Sequence, residues 1–399
     1  MQALLPEHLS QKEVIRLGAF YTPKRLIKLV ISLINDYLYK KKSNLIVLDS
    51  SAGYGAFLKE ITERGIECRA SELDERLYIY LSKIIDKDNI IITNSLLNVS
   101  REKFKIPENA FLIIIGNPPY NDVTSVYKKG EKGKFISDND LIDRDIGISF
   151  LKSYEKLKAD VVCVLHALSF LIKETNFKRL KQFKDNYKLI AGVIFPSTIF
   201  HSTSRSTPFP IVASLYERSE KGMEFDYVKK FRFKILDTNK EFILENFKTT
   251  DGYINKYPPR KNQIKFSDIG LYYHSFRDIN SLIRNASFMS KPFYNGIVVN
   301  VNNFYQYAYL FAFKNLFRAE NSWIYGNLSP LVDIKYLENN KTYFVKYAIL
   351  KNRVVKNLEH KNLKKILDHY EIKEIKQAES EMSDIELEIK KHILSLAKI

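Results

Sequence analysis

The feature that most constrains this fold is the run FLIIIGNPPY, in which apolar residues from Phe111 are followed at once by Gly116, Asn117, two prolines and Tyr120. A short apolar run of this kind predicts a buried strand. Proline locks φ and has no backbone N–H, so the pair ends the strand in a rigid turn. We therefore expect Asn117 and Tyr120 to be held rigidly on either side of the two prolines. This turn, Asn117 to Tyr120, is called the bracket below.

The bracket offers groups that suit an exocyclic amine. The side-chain oxygen of Asn117 and the carbonyl of Pro118 are two acceptors, and an NH2 group has two donors for them. Accepting both hydrogens localises the nitrogen lone pair, so the amine becomes nucleophilic without a strong base. Tyr120 adds a face on which a flipped-out base could stack, a contact of about 1 to 3 kcal/mol. The alternative is a loop that only ends a strand.

A second strand signal lies earlier in the chain and leads into a glycine turn. The apolar residues 45–48 end at Asp49, and the turn that follows contains Gly53 and Gly55 before a helix from about Phe57. Glycines allow the backbone to approach a ligand closely. The acid at the strand end, the glycine turn and the helix that follows it together predict a crevice lined by a carboxylate and main-chain N–H groups.

The next strand ends at Ser71, and Glu72 follows it. In doubly wound folds an acid roughly 20 residues after the glycines binds ribose hydroxyls, and Glu72 lies 19 positions after Gly53. Five more strands are predicted, at 89–93, 111–116, 161–165, 189–195 and 210–217. Strands that alternate with helices predict an α/β, Rossmann-like sheet of seven mostly parallel strands, with ligands at their carboxyl ends. The polar segment 121–145 is predicted to be a loop that reaches over this edge.

Charge predicts a polyanionic partner. The chain has 63 Lys+Arg against 46 Asp+Glu, a net charge of +17, and a pI near 9.4. Residues 221–356 hold 22 basic and 11 acidic residues, whereas 357–399 hold 8 and 9. This concentration is typical of a domain that lies on phosphates, although a lysine-rich proteome would also raise the total.

The remaining composition excludes several classes of protein. Cys68 and Cys163 lie in apolar runs and are predicted to be reduced core residues. The seven histidines show no spacing typical of a zinc site, so we expect no metal. No secretion signal and no apolar run of about 20 residues is present, so we expect a cytoplasmic protein that does not enter a membrane.

Four segments in this order resemble the adenine-N6 DNA methyltransferases of restriction-modification systems: FYTP at 20–23, DSSAGYGAFL at 49–58, SELD at 71–74 and NPPY at 117–120. The resemblance is to the class whose catalytic domain precedes its target-recognition domain. It implies a catalytic domain over 1–220 and an α+β target-recognition domain with a helical C-terminal segment over 221–399.

The resemblance also implies S-adenosylmethionine as the cofactor. The residues that match its binding positions are Thr22, Asp49, Ala52, Gly53, Gly55, Glu72, Leu73 and Asn94. Asn94 stands where the family usually has Asp, and its oxygen can still accept from the adenine amine. Ser50 and Ser95 replace a customary proline and a customary aromatic residue, which affects affinity more than the presence of the site.

On the substrate side, the resemblance implies methylation of adenine N6 in double-stranded DNA, with a cognate restriction endonuclease acting separately. It assigns Asn117, Pro118, Pro119 and Tyr120 to catalysis, and Tyr120 and Phe195 to stacking on the flipped base. Core packing is the alternative for Phe195. His166 is interpreted as a hydrogen-bonded structural residue.

Three other functions are also compatible with the sequence. Cytosine-N4 methylation uses the same bracket, although its family usually has Ser in place of Asn117. Protein-glutamine N5 methylation also uses NPPY, but without a long basic C-terminal domain. A DNA-binding module with a decayed catalytic core, or a fused endonuclease, is the third.

Overall fold

The computed structural model describes residues 22–39, 44–119, 136–200, 207–258, 266–373 and 375–397. They form two compact units. The first contains the described residues up to 200 together with 210–244, and the second contains 207–209 and the described residues from 245 onward.

The first unit is built on one large sheet. Its strands are β1 Leu45–Asp49, β2 Glu67–Glu72, β3 Ile90–Ile92, β4 Phe111–Gly116, β5 Val161–Ala167, β6 Tyr187–Pro196, β7 Pro210–Arg218, β8 Phe233–Ile235 and β9 Glu241–Phe242. Within the described residues they follow the order β3-β2-β1-β4-β5-β7-β6-β8-β9. β1 is flanked by parallel partners on both sides, as are β2 and β4, whereas β7 runs antiparallel to β5 and β6.

Helices cover this sheet and complete its α/β architecture. The first has 16 residues and buries one apolar face, as its 3.6-residue spacing predicts. The helices of this unit are α1 Lys24–Tyr39, α2 Ala56–Thr62, α3 Tyr78–Leu81, α4 Ile146–Lys156, α5 Ser169–Ile172, α6 Glu174–Phe177, α7 Gln182–Asn186 and α8 Phe225–Lys230. The Rossmann-like fold class predicted from the sequence is therefore confirmed.

All seven predicted strands are present, but the sheet is larger than predicted. β8 and β9 extend it beyond residue 220, and the first unit continues to Leu244. Gly192 of β6 makes room for β8, because a Cβ there would lie 2.7 Å from Cδ1 of Phe233. Strands this short carry no alternation pattern, so the sequence offers no signal for them.

The second unit combines a small sheet with helices. β10 Leu271–His274 pairs antiparallel with β11 Phe288–Met289 and with β12 Gly296–Val299. Its helices are α9 Ile279–Arg284, α10 Phe304–Leu316, α11 Ile334–Asn339, α12 Lys341–Lys351, α13 Arg353–Lys356, α14 His360–His369, α15 Ile375–Ser380 and α16 Met382–Ser395. In α10, 10 of 13 residues are buried, which explains why its aromatic sequence shows no clear period.

The prediction that both cysteines are reduced core residues is confirmed, and the last helix also contributes to the core. Cys68 and Cys163 are buried and unpaired with each other. The apolar stripe of the last helix is buried at Met382, Ile385 and Ile389 and at Ile393. Among the described residues, no helix combines the length and apolar character needed to cross a bilayer.

A buried arginine ties together the loops that precede β4 and β5. The guanidinium of Arg101 donates to the carbonyls of Pro107, Glu108 and Ala110 at 3.0 to 3.1 Å, before β4. It also donates to Leu157 at 2.9 Å and Lys158 at 3.0 Å, after α4. One side chain therefore satisfies five carbonyls that would otherwise need other donors.

We expect Arg101→Met to lower the free energy of unfolding by at least about 3 kcal/mol, because several buried carbonyls lose a charged donor. Urea unfolding followed by circular dichroism measures it. Arg232→Met is the matched control, since Arg232 is 71% exposed and pairs only with Glu241 at the surface. Equal urea midpoints for the two variants would show that the carbonyl cluster does not depend on Arg101.

Candidate active site

The polar residues predicted from the sequence meet at the carboxyl edge of three neighbouring strands. Asp49 is the last residue of β1 and pairs with Ala70 of β2 and Ile115 of β4. Glu72 ends β2, and Asn117 follows directly after β4. The parallel register therefore brings the acid, the ribose-binding candidate and the amine bracket to one edge.

Glu72 fastens the glycine turn to the end of β2. One carboxylate oxygen accepts from the N–H of Gly53 at 2.8 Å, and the other accepts from Leu73 at 2.8 Å and Asp74 at 3.1 Å. The N–H of Ala52 also donates to the carbonyl of Ser71 at 3.0 Å. The spacing between Gly53 and Glu72 thus reflects a direct contact in this structure.

The two glycines of the turn are required for different reasons. Both have positive φ, +54° at Gly53 and +73° at Gly55. A Cβ on Gly55 would lie 2.8 Å from Cδ1 of Ile84, so this glycine allows close packing. A Cβ on Gly53 would meet nothing within 4 Å, so the backbone there borders open space that a ligand could occupy.

Asp49 is a buried carboxyl group at the centre of this edge. It is 1% exposed, and its Oδ1 accepts from the N–H of Ser51 at 3.0 Å. A Cβ on Gly116 would lie 2.7 Å from that same oxygen, so β4 approaches this closely only because residue 116 is glycine. Burial, with a smaller contribution from the negative charge of Glu72, raises the pKa of Asp49 to about 7.

A chain of hydrogen bonds through three buried serines connects the carboxyl ends of β1, β2 and β3. The hydroxyl of Ser95 lies 2.7 Å from that of Ser71 and donates to the carbonyl of Ser50 at 2.6 Å. Ser50 in turn donates to the hydroxyl of Tyr154 at 3.2 Å. Sequence reasoning treated Ser50 and Ser95 as separate departures from a family pattern, whereas the structure shows them bonded to each other.

The signal for this chain was present in the sequence but could not be interpreted alone. Each serine is the immediate neighbour of a predicted cofactor residue: Ser50 follows Asp49, Ser71 precedes Glu72, and Ser95 follows Asn94. Only the pairing of β1, β2 and β3 shows that the three serines lie together.

Asn94 is already hydrogen-bonded within the protein, whereas the side chain of Leu73 is exposed. Nδ2 of Asn94 donates to the carbonyl of Ile136 at 2.6 Å, and its Oδ1 accepts from the N–H of Leu96 at 3.0 Å. The amide is therefore already oriented by the protein. Leu73 is 66% exposed, as expected for an apolar side chain that could cover a planar ligand.

Thr22 lies against the amine bracket. Nδ2 of Asn117 donates to its hydroxyl at 3.2 Å, and both Thr22 and Pro118 are buried. Threonine is a common N-cap residue, but Thr22 is not the N-cap of α1. The helix begins at Lys24, and the carbonyl of Pro23 accepts its first main-chain hydrogen bonds.

The aromatic candidates have different positions. Phe195 is 0% exposed and its ring centroid lies 6.4 Å from that of the buried Phe200, so a base could contact Phe195 only after surrounding residues move. Tyr120 and residues 121–135 of the predicted loop lie outside the described residues.

His166 is embedded in the core of β5. Its ring bonds the carbonyl of Ala167 at 3.0 Å and the hydroxyls of Tyr216 and Ser214, each at 2.8 Å. Burial lowers its pKa to about 4, so the ring is neutral at physiological pH. These contacts are those of a structural histidine. Across the part of the chain that the structure describes, no group of three or more metal-ligating side chains is found.

The sequence matches the family model described as N-6 DNA Methylase over residues 4–214, more than half of the chain. The chain belongs to the N-6 DNA methylase family. The match covers the glycine turn, Glu72 and the bracket at Asn117 and Pro118. The residues at the carboxyl edge described above therefore lie within the part of the chain that matches the family.

Two curated relatives are type II methyltransferases of Haemophilus influenzae. M.HincII is 26% identical over 207 residues, which are 50% of this chain and 37% of the relative. M.HindII is also 26% identical over 207 residues, covering 50% of this chain and 36% of the relative. The matched region therefore spans little more than a third of the length of these relatives.

Similar solved structures include a Listeria monocytogenes protein described as a class I S-adenosylmethionine-dependent methyltransferase, with 14% identity and a TM-score of 0.37 over 58% of this chain and 74% of that one. TrmN from Thermus thermophilus has 15% identity and a TM-score of 0.30 over 49% of each chain. Scores this low add nothing to the strand order described above.

S-adenosylmethionine is the cofactor that this family and fold indicate, and the residues at the carboxyl edge suit it. The ligand carries positive charge on its sulfur and ammonium groups and has two ribose hydroxyls. The edge offers two carboxyl groups, at Asp49 and Glu72, and open space beside the backbone of Gly53. Leu73 supplies an exposed apolar surface next to them.

Asp49 makes the stability of this N-6 DNA methylase family member depend on pH. Its pKa is about 7 in the folded chain and near 3.8 when unfolded, so burial favours the protonated form. The stabilising contribution is complete below about pH 4 and is lost as pH rises through 7, a difference on the order of 4 kcal/mol. Asn retains an oxygen for the N–H of Ser51 and carries no charge at any pH.

We therefore expect Asp49→Asn to unfold at a higher temperature than the wild type at pH 8.5, with the difference shrinking towards pH 4 to 5. Thermal unfolding without added cofactor, measured across this pH range, tests the expectation. Asp36→Asn on the exposed side of α1 is the control for removing a carboxylate. A constant difference at all pH values would mean that Asp49 is ionised throughout.

Proposed function

We propose that this chain is a site-specific DNA methyltransferase that transfers a methyl group from S-adenosylmethionine to N6 of an adenine flipped out of the duplex. The observation that carries the proposal is the position of Asn117 and Pro118. They follow β4 directly beside β1, whose last residue is Asp49. A bracket suited to an exocyclic amine thus shares one edge with the groups suited to the cofactor.

Each cofactor candidate has a role that fits its contacts. S-adenosylmethionine supplies an electrophilic methyl group when it is bound. Glu72 has lone pairs beyond those used by three N–H donors, and these would accept from ribose hydroxyls. Leu73 would pack on the adenine, and the second lone pair of Asn94 Oδ1 would accept from its amine. Thr22 and the turn Ala52–Gly55 would hold the methionine part, with Asp49 nearby.

Thr22 gives the bracket a defined orientation. Because Nδ2 of Asn117 is directed at the Thr22 hydroxyl, Oδ1 is the other corner of the amide and is the group that would accept from N6. The carbonyl of Pro118 would accept the second hydrogen. Neither acceptor is a base, so the pair acts by localising the lone pair of N6 and not by removing a proton.

The flipped base needs an apolar pocket as well as acceptors, because an extruded base loses its stacking partners. In our proposal Pro119 keeps the bracket rigid, and Tyr120 stacks on the base. Phe195 would join this pocket only if the residues that bury it move when the base enters. Its complete burial makes Phe195 the residue of the proposed site most dependent on a conformational change.

The second unit is proposed to bind the DNA target, since the excess of positive charge between 221 and 356 suits phosphates. The type II methyltransferases M.HincII and M.HindII support a place in a restriction-modification system. Methylation would then protect cytoplasmic host DNA from a cognate restriction endonuclease that acts separately.

Transfer of labelled methyl from S-adenosylmethionine to mixed-sequence duplex DNA tests the proposal. After digestion to nucleosides, we expect the label in N6-methyladenine. Label in N4-methylcytosine would contradict the target base. Label in an added protein extract but not in DNA would indicate glutamine methylation, and no transfer to either would favour a DNA-binding module.

We expect Asn117→Ala to lower the rate of methyl transfer by about 10² to 10³, the range found when a single hydrogen-bonding group is removed from a reacting site. Affinity for S-adenosylmethionine, measured by calorimetry, should be unchanged. Thr22→Val removes the acceptor of the Asn117 amide and a hydroxyl assigned to the cofactor, so we expect a smaller loss of rate, about tenfold, together with weaker binding of S-adenosylmethionine. Full activity in Asn117→Ala would disprove its assigned role.

A further inference from the structure

The second unit contains a long stretch with no exposed carboxylate. Residues 269–319, the acid-poor stretch, hold one acid in 51 positions, whereas 46 acids in 399 residues would give about six. The stretch also contains Arg277, Arg284, Lys291, Lys314 and Arg318 and seven asparagines. It forms the small sheet together with α9 and α10.

The single acid is used inside the fold. Asp278 is 0% exposed and caps α9, where its Oδ1 accepts from the N–H of Ser281 at 3.0 Å. Its other oxygen accepts from Nε of Arg277 at 2.9 Å. The acid-poor stretch therefore has no exposed carboxylate to repel phosphates, whereas Arg277, Arg284, Lys291, Asn295 and Arg318 are exposed on it.

Within this stretch, the turn between β11 and β12 carries an uncovered aromatic residue. Tyr294 is 85% exposed, the highest exposure among the large hydrophobic residues of the described chain. Lys291 and Asn295 beside it are also exposed. A tyrosine at such a position has an apolar face and a polar tip, which suits a wet, polar interface.

The backbone of this turn is held by main-chain hydrogen bonds and by a ring contact with β10. The N–H of Gly296 donates to the carbonyl of Phe293 at 2.9 Å, which makes Tyr294 and Asn295 the two central residues of a closed turn. The ring of Phe293 lies 5.3 Å from that of His274, and the N–H of Ser275 donates to the carbonyl of Asn295 at 2.9 Å. The backbone at Tyr294 is thus fixed on the sheet before any partner binds, which lowers the entropic cost of ordering the turn.

We propose that the β11–β12 turn, through Lys291, Tyr294 and Asn295, is a surface by which this chain grips double-stranded DNA. Lys291 contacts phosphate, and Tyr294 and Asn295 contact the sugar and the base edges next to it. Arg277, two residues after Ser275, is 56% exposed at its side chain, although its charge is paired with the buried carboxylate of Asp278. The inference deepens the proposed function and rests on DNA being the substrate.

The test measures binding of a fluorescent mixed-sequence duplex by anisotropy at several salt concentrations. We expect Lys291→Ala to weaken binding and to reduce the slope of log Kd against log salt by about one, the loss of one phosphate contact. We expect Tyr294→Ala to weaken binding about tenfold with little change in that slope. Affinity for S-adenosylmethionine should be unaffected in both.

Two matched variants control for charge and for aromatic surface. Lys361→Ala removes a lysine that is 76% exposed on α14, outside the acid-poor stretch, and Tyr39→Ala removes a tyrosine that is 73% exposed at the end of α1. Both should bind DNA like the wild type.

The outcomes separate this inference from the proposed function. If the wild type methylates and binds duplex DNA while Lys291→Ala and Tyr294→Ala bind equally well, only the role of the turn is overturned. If the wild type neither binds nor methylates DNA, the proposed function fails and this inference fails with it. Tighter binding of an RNA probe of the same sequence, lost in both variants, would reassign the turn to RNA.

Discussion

Parallel pairing of β1 with β2 on one side and β4 on the other is the interaction on which the rest of the site depends. Its register places Asp49 beside Ala70 and Ile115, so the strands end at the same level. Glu72 then reaches the glycine turn, and Gly116 passes within contact of the Asp49 carboxyl. A shift of one residue in either pairing would turn these side chains to the opposite face of the sheet.

This arrangement buries a carboxyl group where an uncharged one would be more stable. Burial raises the pKa of Asp49 to about 7, a kind of shift that is common among carboxyl groups of binding sites. A cationic ligand beside Asp49 would favour the ionised form and so recover part of the lost stability. The chain of Ser50, Ser71 and Ser95 meanwhile supplies hydrogen bonds below the same edge without adding charge.

Much of the first unit could be predicted because its strands are short apolar runs with polar residues at their ends. The spacing between Gly53 and Glu72 predicted a ribose-binding acid, and in the structure these two residues are also hydrogen-bonded to each other. The contact between Thr22 and Asn117 could not be predicted, because it joins residues 95 positions apart and no local pattern signals it. The burial of Phe195 was equally hidden, since a strand-end aromatic has the same sequence pattern whether it lines a pocket or the core.

The sequence by itself determined the α/β class, the order of the polar strand ends, and the concentration of positive charge after residue 220, because these follow from local hydrophobicity and composition. The tertiary structure alone decided that β8 and β9 join the sheet, that three serines meet beneath the site, and that the sole acid of the acid-poor stretch is buried. Each of these depends on which distant residues become neighbours. That information lies in the packing of the strands and helices, and no local pattern contains it.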